Sequence, residues 1–185
     1  IIGSNNSTID TAKLPIDVIR RTKNCLTLHL LDRFAAKKFA SLVIQDLLQT
    51  NAFVAEINPG IGLLTQELLD AGIPVVHAYE KYTEFGPYLD SLVAKYPGRL
   101  DVKPYNFLTI GKAEFLDRRI NSKTMEKMFE GLQPKSWPEN PSLCIVGTIP
   151  IMKFFYAFTW SLMNQFLSDY GRAALYVAIL PSMSL

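Results

Sequence analysis

The chain has 185 residues, 49% hydrophobic and 19% charged, a balance that excludes a disordered segment and is enough for one domain with a sizeable core. Its net charge of +2 points to no class of partner, and two cysteines, Cys25 and Cys144, exclude a disulfide framework or a zinc ribbon. It begins at Ile1 and closes on Pro181-Ser-Met-Ser-Leu185, which reads as a piece of a longer protein. Basic residues gather early: Lys13, Arg20, Arg21, Lys23, Arg33, Lys37 and Lys38 stand against Asp17 and Asp32. That excess is either a phosphate-facing patch or a solvated helix face.

Predicted elements follow in order. Phe34, Phe39, Leu42, Val43, Leu47 and Leu48 recur at helical spacing over 33–50. A short apolar strand at 53–57 leads into a proline- and glycine-bearing turn at 58–62, then a helix at 63–71 that stops before Gly72. A valine-rich strand at 74–79 precedes a helix at 83–96, loosened by Gly86 and Pro87. A third strand is expected at 100–103, a mixed-charge helix at 114–130 and a three-proline loop at 132–141. The apolar stretch 143–167 is interrupted by Gly147, Pro150 and Lys153, so it reads as a fourth strand at 143–147 and a core-facing helix at 153–167, with no membrane span. A fifth strand is expected at 173–180. Alternation of this kind predicts an α/β fold, Rossmann-like, with a mostly parallel sheet and helices on both faces. Ligands of such sheets bind beyond the carboxyl ends of the strands, where strand order reverses.

The chemistry-bearing constellation is the turn Glu56-Ile-Asn58-Pro59-Gly60-Ile-Gly62-Leu-Leu-Thr65, with Glu80 closing the next strand eighteen positions after Gly62. Glycines let a ligand approach the backbone, and an acid at the second strand's end accepts from both ribose hydroxyls. A nicotinamide site would share this geometry, but its fingerprint places a third glycine where Thr65 stands and lacks an acid equivalent to Glu56. As alternatives, the glycines serve only the tight turn, and Glu56 serves only the helix dipole.

These residues resemble the first motif of the ribosomal RNA adenine dimethyltransferases, Glu-x-Gly-Pro-Gly-x-Gly-x-Leu-Thr, with Asn58 in place of the first glycine. The Asn-Pro-Gly form is similar to the second, more diverged paralogue within that family's mitochondrial transcription factor B branch. The resemblance runs from about His29 to residue 180. It implies a class I S-adenosylmethionine methyltransferase fold over 29–185, preceded by a basic extension over 1–28, with the family's helical C-terminal domain not represented. It implies S-adenosylmethionine as cofactor, with Glu56, Asn58, Gly60 and Gly62 in the cofactor turn, Glu80 on the ribose, Asn106 on the adenine amine, and His29 and Leu31 in the upstream cofactor stretch. Asn106 reads equally as a turn residue.

In active members the fourth motif reads Asn-Leu-Pro-Tyr or Asn-Leu-Pro-Phe. There the amide accepts protons from the adenine amine and the ring stacks on the flipped base. Here the segment is Thr148-Ile149-Pro150-Ile151. Loss of the acceptor alone costs about two to four powers of ten in rate, and loss of the platform about 1–3 kcal/mol per base. The resemblance therefore implies a monomeric mitochondrial transcription initiation factor of the matrix nucleoid. It would act with the single-subunit mitochondrial RNA polymerase on promoter DNA, through Arg20, Arg21, Lys23, Lys37 and Lys38. The alternative is an active dimethyltransferase whose partner is the small-subunit ribosomal RNA. No metal site and no membrane contact are expected. Phe154, Phe155, Tyr156, Phe158 and Trp160 are expected in the core more than on a nucleic-acid platform.

Overall fold

The computed structural model describes residues 14–22, 28–120, 122–133, 135–137, 139–150, 154–156, 158–159 and 170–179. Helix α1 (Ile16–Thr22) lies in the basic N-terminal stretch, and its Val18 is buried in the core. Helix α2 (Arg33–Thr50) starts at Asp32, whose side chain accepts the Ala35 N–H at 2.7 Å, and ends at Asn51 in the left-handed region. Strand β1 (Phe53–Ile57) follows, then α3 (Leu63–Asp70) and β2 (Val76–Tyr79). A 3-10 turn at Thr83–Phe85 runs into α4 (Gly86–Lys95), with Pro87 in its first turn, where a missing N–H does no harm. Strand β3 (Leu100–Lys103) completes the first half.

The mixed-charge segment forms two helices, α5 (Ile110–Ile120) and α6 (Thr124–Met128), instead of one. Lys123 stands between them at φ 56°, a backbone no helix continues through, and the Asp117 carboxylate ties the break by accepting the Thr124 and Met125 N–H groups. Strand β4 (Leu143–Ile149) is buried at every position, and β5 (Ala173–Ile179) pairs beside it. β4 runs two residues beyond the expected Gly147, so Thr148 and Ile149 lie within the strand. Of the helix expected at 153–167, residues 154–156 and 158–159 are helical and the rest lies outside the described residues.

All pairings are parallel and the order is β3-β2-β1-β4-β5. The chain steps outward from β1 to β3, then returns to β4 on β1's other side, so strand order reverses between β1 and β4. One face, carrying Val54, Val76, Ala78, Cys144 and Val146, packs on α2, α3 and α4. The other, carrying Ala55, Ile57, Tyr79, Ile145 and Ile149, packs on α5, α6, Phe154 and Phe158. Alternation along each strand divides the two cores, and burial on both faces explains why β4 reads as a continuous apolar run. Cys144 is a buried core thiol. Tyr156 is exposed, while Cys25 and Trp160 lie outside the described residues. Among the described residues no helix is long and apolar enough to cross a membrane.

Candidate cofactor crevice

At the reversal point β1 ends and the chain turns through 58–62. Asn58, Gly60 and Gly62 adopt positive φ of 53°, 60° and 77°. A Cβ on Gly60 would lie 3.1 Å from His29 Nδ1, and one on Gly62 2.3 Å from Leu92 Cδ1. The glycines thus serve the turn and also let neighbouring side chains close on it. His29 is buried against Gly60, with its ring 4.7 Å from that of Phe85. Leu31 packs on the first core.

Glu80 follows β2 and reaches across to the turn. Its Oε2 accepts the Gly60 N–H at 3.1 Å and its Oε1 accepts the Tyr82 N–H at 2.9 Å. Each oxygen keeps lone-pair capacity for a further donor, as two vicinal hydroxyls require. Burial raises the Glu80 carboxyl above the usual range, while amides of Tyr82, Gly60 and Lys81 pull it back and Glu84 adds repulsion. A hollow of about 290 Å³ opens beside it, lined by Lys81, Tyr82, Gly86, Leu89, Val102 and Pro104. A larger hollow of about 400 Å³, by Phe53, His77 and Ser142, touches none of these crevice residues.

Glu56 lies beneath the turn, 1% exposed. Burial pushes its carboxyl up to about 8, against an opposing pull from the Thr65 hydroxyl and amide, and Glu80 pushes the same way as burial. The Thr65 hydroxyl is near enough to act on the carboxyl but completes no hydrogen bond of ordinary geometry, and Glu56 Oε2 and Thr65 Oγ1 are buried without hydrogen-bond partners. Asn106 follows β3, and its side-chain oxygen accepts the Leu108 N–H at 3.1 Å as the cap of a 3-10 turn at Phe107–Thr109. An amide oxygen has two lone pairs, so the cap leaves it capacity for one more donor.

Thr148, at the end of β4, is 3% exposed. Its hydroxyl donates to the Leu28 carbonyl, and its own carbonyl accepts Asn58 Nδ2 at 2.9 Å. One residue thereby joins the turn after β1, the end of β4 and the stretch leading to His29. Ile149 is fully buried in the second core and Pro150 is buried beside it. Ile151 lies outside the described residues.

Glu56, Asn58, Gly60, Gly62, Glu80, His29 and Thr148 thus meet at one end of the sheet, with Asn106 at the end of β3. The basic residues divide between helices. Arg20 on α1 is exposed and sits 3.9 Å from Asp17, whereas Lys37 and Lys38 are exposed on α2. The Arg21 side chain and Lys23 lie outside the described residues. Sequence reasoning missed the Leu28 carbonyl and the Tyr82 amide, which are main-chain groups with no residue signature. It also gave Thr65 no role, although its hydroxyl and amide act on the Glu56 carboxyl. Among the described residues no group of three His, Cys, Asp or Glu side chains is gathered as a metal site.

No family model matches the chain. It is similar to rat "Dimethyladenosine transferase 2, mitochondrial", 33% identical over 122 residues, which are 63% of this chain and 30% of that protein. It is 25% identical over 155 residues to bovine "Mitochondrial dimethyladenosine transferase 1", covering 80% of this chain and 42% of that protein. It is 30% identical over 102 residues to human "Dimethyladenosine transferase 1, mitochondrial", 55% of this chain and 26% of that protein. The matched stretches span between a quarter and a little over two-fifths of these three relatives. The Rossmann-like α/β fold with its parallel sheet agrees with a methyltransferase scaffold of this kind.

Proposed function

We propose that this chain is an S-adenosylmethionine-binding scaffold of the ribosomal RNA adenine dimethyltransferase kind, working in the mitochondrial matrix nucleoid as a monomeric transcription initiation factor. Its partners in this reading are the single-subunit mitochondrial RNA polymerase and promoter DNA. The paralogue is the second, more diverged form of transcription factor B, and Arg20, Arg21, Lys23, Lys37 and Lys38 are its candidate nucleic-acid contacts.

The residues fit the cofactor. Glu80 has an accepting site left on each oxygen for the ribose, the left-handed turn at Gly60 and Gly62 brings backbone close, and Glu56 Oε2 is a buried acceptor with no hydrogen-bond partner. In this reading Asn106 takes the adenine amine and His29 the upstream side of the cofactor. When bound, the cofactor supplies an electrophilic methyl on a positively charged sulfur. Replacing Glu80 with Gln keeps the shape and removes the charge from the ribose acceptor. The expected result is an S-adenosylmethionine affinity about tenfold weaker by calorimetry. An unchanged affinity removes Glu80 from the site.

The observation carrying the non-catalytic half is the bonding of Thr148. An amine donor entering to be methylated needs an acceptor aimed at it. Here the hydroxyl is held against the Leu28 carbonyl and the main-chain carbonyl accepts Asn58 Nδ2, so residue 148 is buried and tied into the fold, and its side chain carries no amide oxygen to present to an amine. Ile149 is sealed in the core. The expected outcome is transcription from a mitochondrial promoter that depends on this protein in the presence of the polymerase. Methyl transfer to a small-subunit ribosomal RNA hairpin should be at least about a hundredfold slower than by an enzyme carrying Asn-Leu-Pro-Tyr. The names of the relatives favour the second reading, an active ribosomal RNA adenine dimethyltransferase. Rapid transfer of labelled methyl groups to the hairpin would establish it and displace the first.

A further inference from the structure

Behind the glycine turn, two acids share one region. Glu56 comes from the end of β1 and Glu80 from just past β2, and Glu80 raises the cost of ionising Glu56. Glu80 is satisfied by two main-chain amides. Glu56 is satisfied only in part: the Thr65 amide acts on its carboxyl, but its Oε2 is buried without a hydrogen-bond partner, as is Thr65 Oγ1 from the first turn of α3. The strand neighbours of Glu56 in register, Ala78 on β2 and Val146 on β4, bring no charge, and α3 presents the uncharged Thr65. No lysine or arginine among the described residues forms an ion pair with either acid. A buried carboxylate without a cation is strongly disfavoured, whereas the neutral acid is tolerated.

We propose that Glu56 gives up its proton when a cationic ligand seats on the glycine turn, so that it acts as a charge-selecting positioning residue for that end of the crevice. The inference rests on the cofactor reading above, the sulfonium and ammonium of S-adenosylmethionine being the cations concerned. No covalent bond forms: the proton leaves to solvent, and the carboxylate stays to balance the ligand's charge. Since burial holds the free-state carboxyl at about 8, Glu56 is about nine-tenths protonated at pH 7 and has a proton to lose. A cation beside it lowers that value. Affinity then climbs with pH, by up to about tenfold per unit, until about pH 8, and levels off above it.

The experiment is calorimetry of S-adenosylmethionine binding to the full protein at pH 7 in phosphate and in Tris, whose ionisation enthalpies differ. The expected result is an apparent enthalpy that depends on the buffer, corresponding to release approaching one proton per ligand, and no such dependence in Glu56→Gln. Glu80, itself raised by burial, is the other possible proton source, and release that persists undiminished in Glu56→Gln overturns the assignment. Binding with the same enthalpy in both buffers overturns it as well while leaving the cofactor reading intact. Absence of binding at millimolar ligand overturns both. The wild-type measurement stands on its own if the variant folds poorly, and Thr65→Val, which keeps the acid, is expected to retain the release.

Discussion

Alanine at position 147 is expected to destabilise the fold by about 3–5 kcal/mol, or to prevent its recovery in soluble form. Gly147 adopts φ 139°, a backbone conformation closed to residues with a side chain. It is paired in register with Ile57, at the point where β1 and β4 part to open the crevice. A Cβ there would stand 2.3 Å from the Ile57 carbonyl oxygen and 3.1 Å from its nitrogen. Those are main-chain atoms of the central strand pair, fixed by ladder bonds and by an Ile57 side chain with no exposure. Nothing can give way without separating the strands. Gly62 makes a useful contrast, because the atom its Cβ would strike is the tip of the Leu92 side chain, which can rotate. Thermal unfolding should show Gly147→Ala lowered by about 6–20 °C, since each kcal/mol moves the midpoint of a domain this size by roughly 2–4 °C. A midpoint within about 2 °C of the parent would refute the reading of the β1–β4 contact.

Glu56→Gln should act in the opposite direction, with an effect that grows as pH rises from about 4.5 to about 8. In the unfolded chain Glu56 ionises near 4.5, and in the folded chain near 8. Below about pH 4.5 both states carry the neutral acid, and its contribution to stability is fully present. As pH climbs from there, the unfolded chain sheds the proton and the folded chain does not, so stability is drained until the folded carboxyl ionises at about 8. Glutamine matches the neutral acid in shape and never ionises. The variant is therefore expected to be more stable than the parent by about 2–4 kcal/mol at pH 8, with the advantage shrinking toward zero below pH 4.5. Urea unfolding at a series of pH values measures this directly. Parallel curves for the two proteins across that range would show that Glu56 is not a buried neutral acid.

Much of this architecture was legible because periodicity and turn chemistry are local. Valine-rich runs bounded by Gly, Pro and Asn marked the strands, and positions 100–103 and 53–57 fall where their spacing placed them. Glu80 was legible because a lone acid ending an apolar strand has few structural reasons to be there. What escaped was what depends on distant partners or on the main chain. The Asn58 side chain finds its acceptor ninety residues away, at Thr148, and no local pattern announces that. Asn106 could not be resolved between cap and ligand because both roles ask for the same amide oxygen, and the structure shows it capping while a lone pair remains. The split between α5 and α6 escaped because it is made by Lys123, whose side chain does not advertise a left-handed backbone. The extension of β4 through Ile149 turned a segment expected to face ligand into one whose Ile149 faces the core.

Asn58 and Thr148 are the two places where the described chain departs most visibly from the dimethyltransferase pattern, and they hold hands. Glycine at 58 would strand the Thr148 carbonyl, and asparagine at 148 would take the hydroxyl away from Leu28. The two bonds use different groups of residue 148, its main-chain carbonyl and its hydroxyl, so each substitution slackens the floor of the crevice on its own and the two costs add.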